Sequence, residues 1–140
     1  MAAHQPTAGY SGTPLAKKLG IKPDHVVAVL SEPDEFRTWL ELPPGARFRK
    51  SIGRNPDVII AFTTRRSVLA QRIDKAATAM FPDGSLWAAW PKKSSKVPTD
   101  ITEDVVRELA LPKGLVDNKV CAISDVWSGL RLVWRKENRR

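Results

Sequence analysis

The chain has 140 residues, 42 % hydrophobic and 27 % charged, with a formal net charge of +8. That length suits one domain built on one core. The single cysteine excludes an intrachain disulfide, and no apolar run reaches the roughly 18 residues of a membrane helix. The opening stretch MAAHQPTAGYSGTP lacks the basic flank and apolar block of a secretory signal, so a reducing, cytoplasmic setting is the expectation. The last ten residues, RLVWRKENRR, hold five bases and one acid, so half the positive excess is concentrated there.

In chain order, residues 1–12 are small and polar and read as a flexible arm. The folded domain is expected over 13–135 and a basic tail over 136–140. Thr13 as cap and Pro14 in the first turn predict a short helix through PLAKKLGI, ended by Gly20. HVVAVLSE, 25–32, is a near-continuous, β-branched apolar run, the pattern of a strand buried on both faces. DEFRTWL reads as a short helix, and residues 46–50, after Pro-Pro-Gly, as an edge strand. PDVIIAFTT, 56–64, is a second buried strand. From Arg65 to Met80 the period becomes helical, with Leu69, Ile73, Ala76, Ala77 and Met80 on one stripe and Arg66, Gln71, Arg72 and Lys75 outside it. SLWAAWP, 85–91, is a third buried strand, stopped by Pro91. Trp87 and Trp90 are three apart on it and therefore face opposite sides.

Beyond the strand lies WPKKSSKVPTD. Asp100 and Glu103 have the spacing of a capping box, which predicts a helix through TEDVVRELAL. LVDNKVCAIS and LRLVWRK then read as two strands joined by DVWSG in an antiparallel hairpin, with Trp127 at its tip. Strand and helix alternating three times before a hairpin predicts an α/β fold. It is read as a single three-layer Rossmann-like domain, with a mostly parallel open sheet and a C-terminal antiparallel hairpin.

In such sheets ligands bind beyond the carboxyl ends of the parallel strands. That edge is expected to carry SEPDEF, TTRR and PKKSSK. Lys92 and Lys93, with the hydroxyls of Ser94 and Ser95, suit a phosphate or carboxylate. Arg65 and Arg66 at a helix N-terminus are unfavourable unless an anion accompanies them, which argues for one, and a surface pair with no role is the equal alternative. The Trp127 ring can stack on a ligand ring or pack on its own domain. Asp117, Lys119 and Asp125 are candidates for a polar cluster with Lys92 or Lys93.

Other chemistries lack their residues. There is no GxGxxG after the first strand and no GxxxxGK[ST]. The glycine-rich loop of adenosylmethionine-dependent methyltransferases is missing too, although the terminal hairpin matches their sheet. Cys121 is flanked by apolar residues and reads as an inert thiol. His4 and His25 offer no triad, no metal-ligand spacing occurs, and the cofactor is left open.

The stretches GYSGTPLAKKLGIK, LWAAWPKK, PTDITEDVVRE and GLVDNKVCAISDVWSGLRLV resemble a family of small bacterial proteins known only as a domain of unknown function. The resemblance covers about residues 9–135. It implies a compact Rossmann-like domain and brings no activity with it. Its pattern includes Ser11, Gly12, Thr13, Lys17 and Lys18; Pro91, Lys92 and Lys93; Asp100, Thr102 and Arg107; and Asp117, Lys119, Cys121, Asp125, Trp127, Ser128 and Gly129.

The sequence thus points first to a binding domain for a small anionic or nucleotide-like ligand. Lys92, Lys93, Ser94, Ser95, Asp117, Lys119, Asp125 and Trp127 are the candidate contacts, and Ser11 and Thr13 belong to an arm that can fold over the ligand. The alternatives are nucleic-acid association through the basic tail, an enzyme passing protons between Lys92 or Lys93 and Asp117 or Asp125, and a dock for another protein. No membrane association is expected, and oligomeric state is left open.

Overall fold

The computed structural model describes residues 13–139. One six-stranded sheet organises them. Its strands are β1 (Val26–Leu30), β2 (Arg47–Arg49), β3 (Val58–Phe62), β4 (Ser85–Pro91), β5 (Leu115–Ala122) and β6 (Trp127–Trp134), in the order β2-β1-β3-β4-β6-β5. The first four are mutually parallel, and β6 runs antiparallel to both β4 and β5. The expected mostly parallel α/β sheet with a C-terminal hairpin is therefore present.

The helices are α1 (Leu15–Lys18), α2 (Phe36–Trp39), α3 (Arg66–Ala79) and α4 (Glu103–Ala110). Side chains alternate along each strand, so the two faces of the sheet receive different sets. Val27, Val29, Ile60, Phe62 and Trp87 join Leu15, Leu19, Phe36 and Trp39 in one buried cluster. Ala28, Ile59, Ala61, Leu86 and Trp90 join Leu69, Ile73, Met80 and Val106 in the other. The opposite placement of Trp87 and Trp90 follows the spacing read from the sequence. The Trp87 indole donates to the Leu19 carbonyl at 2.9 Å, which fixes α1 to the middle of the sheet. Gly129 makes room for that ring: a Cβ there would lie 2.8 Å from Ile123 Cδ1 and 3.0 Å from Trp87 Cε3.

Three local expectations are corrected. The N-cap of α1 is Pro14, with no side-chain capping bond, so Thr13 does not cap it. The cap of α4 is Thr102, whose hydroxyl accepts from Val105 N–H at 3.2 Å. Asp100 instead accepts from Arg66 N–H at 2.6 Å and caps α3, a helix distant in sequence. Trp127 opens β6 rather than sitting at the hairpin tip, and its ring meets Phe62 edge-on at 5.0 Å. A large apolar ring gains more from a buried neighbour than from an exposed turn.

At the C-terminus, Lys136–Asn138 form one 3-10 turn. Asn138 donates to the Gly114 carbonyl at 3.2 Å, and Arg139 Nε to the Trp134 carbonyl at 2.9 Å. Replacing Thr102 by alanine leaves the first turn of α4 uncapped. The expected loss is about 1 kcal/mol of unfolding free energy in urea melts, with the slope on denaturant unchanged.

Candidate functional site

The carboxyl edge of the sheet is where its parallel strands stop and their loops begin. After β1 the chain turns towards α2 and β2. After β3 it turns towards α3 and β4, on the other side. Neighbouring strands whose continuations part in this way leave a crevice between them. A cavity of about 290 Å³ occupies that position, lined by Ser31, Phe62, Thr63, Thr64, Arg65 and Trp127, with Val68 and Arg72 from α3. Its volume is near the lower end of small-molecule sites.

Each wall is fixed by identifiable bonds. The Thr63 hydroxyl accepts from Arg65 N–H and donates to the Arg65 carbonyl, both at 3.3 Å, which shapes the turn entering α3. Arg72 lies two turns further along α3, and helical side chains lean towards the N-terminus, so its guanidinium reaches back to the edge. There it donates to the Phe62 carbonyl at 2.9 Å and to Ser31 Oγ at 2.7 Å, tying the loops after β1 and β3 together. Burial lowers its pKa from the ordinary value. Ser31 has a positive φ of 54°. Past Ser31 the crevice continues into a hollow of about 510 Å³, lined by Glu32, Asp34, Arg37 and Lys50. Glu32 is held there by Arg37 at 2.9 Å.

The charge at the α3 N-terminus is resolved differently from the expectation that two arginines there imply a bound anion. Asp100 supplies a carboxylate within the protein, at Arg66 N–H. Arg66 itself pairs with Glu108 at 3.2 Å. Thr99 Oγ donates to the Thr64 carbonyl at 2.7 Å, stitching the return of the basic loop to this turn. Two cations line the crevice: Arg72 is bonded to Phe62 and Ser31, whereas Arg65 has no side-chain partner among the described residues.

The residues singled out in the sequence are spread more widely than a single cluster. Lys92 leaves β4 at the expected edge, its N–H bonded to the Val126 carbonyl at 2.6 Å. Lys93, Ser94 and Ser95 form a 3-10 turn. The Ser95 hydroxyl is turned inward to the Lys92 carbonyl, at 2.6 Å. This loop opens one strand away from the crevice, and none of its four residues lines it. Asp125 is exposed in the hairpin turn at the same edge.

Asp117 lies elsewhere. It is level with Leu86 across β6, five residues before Pro91, or about 16 Å down the sheet. Its carboxylate accepts from Arg107 at 3.1 Å. Arg107 also holds Glu103 and Asp104, and its pKa is raised first by its bond to Glu103 and then by that to Asp117. The proton-transfer pair of Lys92 or Lys93 with Asp117 is therefore not formed. Lys119 donates to the Lys18 carbonyl at 2.8 Å and anchors the end of α1. Trp127 alone of the sequence-named contacts lines the crevice. Thr13 is half-buried beside α1, and Ser11 lies outside the described residues.

Reasoning from sequence placed Ser31 at this edge, within SEPDEF, without giving it a contact, and it missed Arg72. A polar residue off the apolar stripe of a helix reads as solvated, and nothing local reveals that it returns to the sheet edge.

No family model and no curated protein sequence matches the chain. Among solved structures it is similar to a SAM-dependent methyltransferase from Aquifex aeolicus, at 11 % identity and a TM-score of 0.59, over 84 % of this chain and 86 % of that one. It is also similar to a pericyclic-reaction enzyme (12 % identity, TM-score 0.48) and to LepI in complex with SAM (14 %, 0.47). This chain spans 39 % of the length of each of those two. At these identities the first likeness establishes the fold alone, a Rossmann-like α/β sheet whose last strands are antiparallel.

Cys121 is buried, and desolvation raises its pKa although Lys18, Lys119 and Lys92 oppose the shift. The folded state thus holds the thiol proton more tightly than the unfolded chain does. That contribution to stability is complete below the ordinary thiol pKa of about 8.5 and is lost as pH rises through the folded value. Alkylation by iodoacetamide at pH 8 is expected to be slow in the native protein and roughly tenfold or more faster in denaturant.

Proposed function

We propose that the protein binds a small anionic, ring-bearing ligand of nucleotide type in the crevice between β1 and β3. The observation that carries this reading is the cavity itself, at the point where the loops part, with an unpaired arginine and an aromatic ring in one lining. Arg65 receives the anionic group through charge-assisted bonds. Trp127, backed edge-on by Phe62, offers its ring to the ligand's ring. The Thr63 turn and the Ser31–Arg72 bond hold these groups in place before a ligand arrives, which lowers the ordering cost of binding. The hollow beyond Ser31, where Glu32 and Asp34 stand beside Arg37 and Lys50, is polar and of mixed charge and suits hydrogen-bonding groups at the ligand's other end.

Lys92 and Lys93 emerge from the neighbouring strand. In this reading they attract the anion to the edge and contact whatever part of it projects from the crevice. Ser94 and Asp125 share that edge and are available to the same portion.

The methyltransferase likeness brings SAM into consideration as one such ligand. Two residue patterns favour a simpler anion. The loop after β1 is LSEPDEF, without glycines that would admit a ligand backbone. The end of β2 is RFRK, where dinucleotide sites of this architecture place an acid for the ribose.

Thermal-shift titration with inorganic phosphate, nucleoside monophosphates and SAM tests the proposal. Stabilisation by at least one phosphate-bearing compound is expected. Arg65→Ala should weaken it roughly tenfold or more, the effect of losing one charge-assisted bond. The double change Lys92→Ala with Lys93→Ala should weaken it less and remove part of its salt dependence. Absence of any shift in the wild type contradicts the proposal.

A further inference from the structure

A second concavity lies on the face of the sheet that carries α3 and α4. α3 packs over β3 and β4, and α4 over β5 and β6, which leaves β1 and β2 without a helix on that side. The reason is in the chain length. Only residues 50–57 connect β2 to β3, and they must run back along the sheet and pass β1. Eight residues reach at most about 27 Å when extended, enough for the path and too short to include a helix.

Arg49 replaces the missing helix as the organiser of that connection. Its guanidinium donates to the carbonyls of Ser51, Ile52 and Arg54, and so holds the loop as a wall. Between this wall and α3 lies an open cleft of about 1070 Å³. Its floor includes Leu30 and Ile52, which only partly bury themselves against the core. Lys50 and Arg54 on one side and Lys75 on the other are exposed cations. The one acid in the lining, Asp74, is already paired with Lys113 at 2.6 Å.

We infer that this cleft receives an acidic amphipathic helix from a partner protein, which fills the space between the 50–57 connection and α3, beside the end of β1. Helices pack 8–10 Å apart and strands about 4.8 Å apart, so six strands accommodate three helices side by side where this chain supplies two. The α3 side of the cleft runs from Gln71 to Ala79, about 12 Å, or two to three turns of an incoming helix. An apolar stripe would meet Leu30 and Ile52, and carboxylates on its flanks would meet Lys50, Arg54 and Lys75, the helix-in-groove mode of recognition. The lining contains no aromatic side chain. Single-stranded nucleic acid, which relies on stacking platforms, is therefore the poorer match. The cleft is distinct from the crevice between β1 and β3, although Arg72 lines both and Lys50 also lines the hollow beyond Ser31.

The test is selection from a library of helical peptides of about 12 residues on the full-length protein, followed by fluorescence anisotropy with a synthesised winner. Enrichment of peptides with apolar residues at i, i+3 or i+4 and i+7, flanked by Asp or Glu, is expected. The double variant Lys50→Glu with Lys75→Glu should weaken binding roughly tenfold or more, while Lys136→Glu, the same kind of charge change remote from the cleft, leaves it unchanged. Matching circular dichroism and melting curves establish that the variants fold. The inference is overturned by failure to enrich any peptide, by winners without acidic flanks, or by equal binding to the double variant. It is overturned equally if a single-stranded oligonucleotide or an anionic vesicle displaces the peptide and shows the same loss on charge reversal.

Discussion

The parting of the chain after β1 and β3 is the constraint on which the rest of this edge depends. Parallel strands cannot be joined by tight turns, so each sends its chain over one face of the sheet to reach the next. Where two neighbours send theirs in opposite directions, no loop crosses the gap. Here the gap is spanned instead by one side chain, Arg72, bonded to Phe62 on one strand and to Ser31 beyond the other. That bond turns an open seam into a lined crevice. The same directional choice places α2 over one face and α3 over the other, and so determines which apolar residues each strand must present on each side.

The net charge of +8 looks at first like a uniform attraction to polyanions. The structure divides it into groups with different work. Arg49, Arg72, Arg107 and Lys119 are consumed in holding loops and helices. Arg66 is matched by Glu108. Arg131 is half-buried on β6 with its Nε unpaired, and burial lowers its pKa, with Arg139 adding to the effect. Of the cations left without partners among the described residues, Arg65, Lys92 and Lys93 lie at the carboxyl edge and Lys50, Arg54 and Lys75 line the cleft beside α3, while Lys17, Lys22, Arg135 and Lys136 lie elsewhere.

Much of the fold was legible because its signals are local. Runs such as VVAVL and VIIAF read as doubly buried strands because β-branched residues and the lack of alternation permit little else. The helical stripe ending at Met80 was equally plain. The edge was legible in outline, since Pro91 had to end a buried strand there. What failed were pairings between distant segments. Asp100 stands in a capping-box position for α4 yet caps α3, because the loop before it folds against Thr64; only tertiary structure decides between two nearby helix starts. Trp127 had the sequence surroundings of a turn, but the apolar gain of meeting Phe62 draws it into β6. Asp117 and Lys119 are close in sequence to the hairpin turn, yet strand length carries them down the sheet to partners on α4 and α1.

The most direct test of the account is an amide and indole NMR titration of the intact protein with the phosphate-bearing compound that stabilises it most. The account predicts shifts concentrated at Ser31, at Thr63 to Arg65 and at the Trp127 indole, with smaller changes at Lys92 and Lys93. Shifts confined to residues 92–96 or to the C-terminal segment, with Trp127 and the Thr63 turn unmoved, would contradict it.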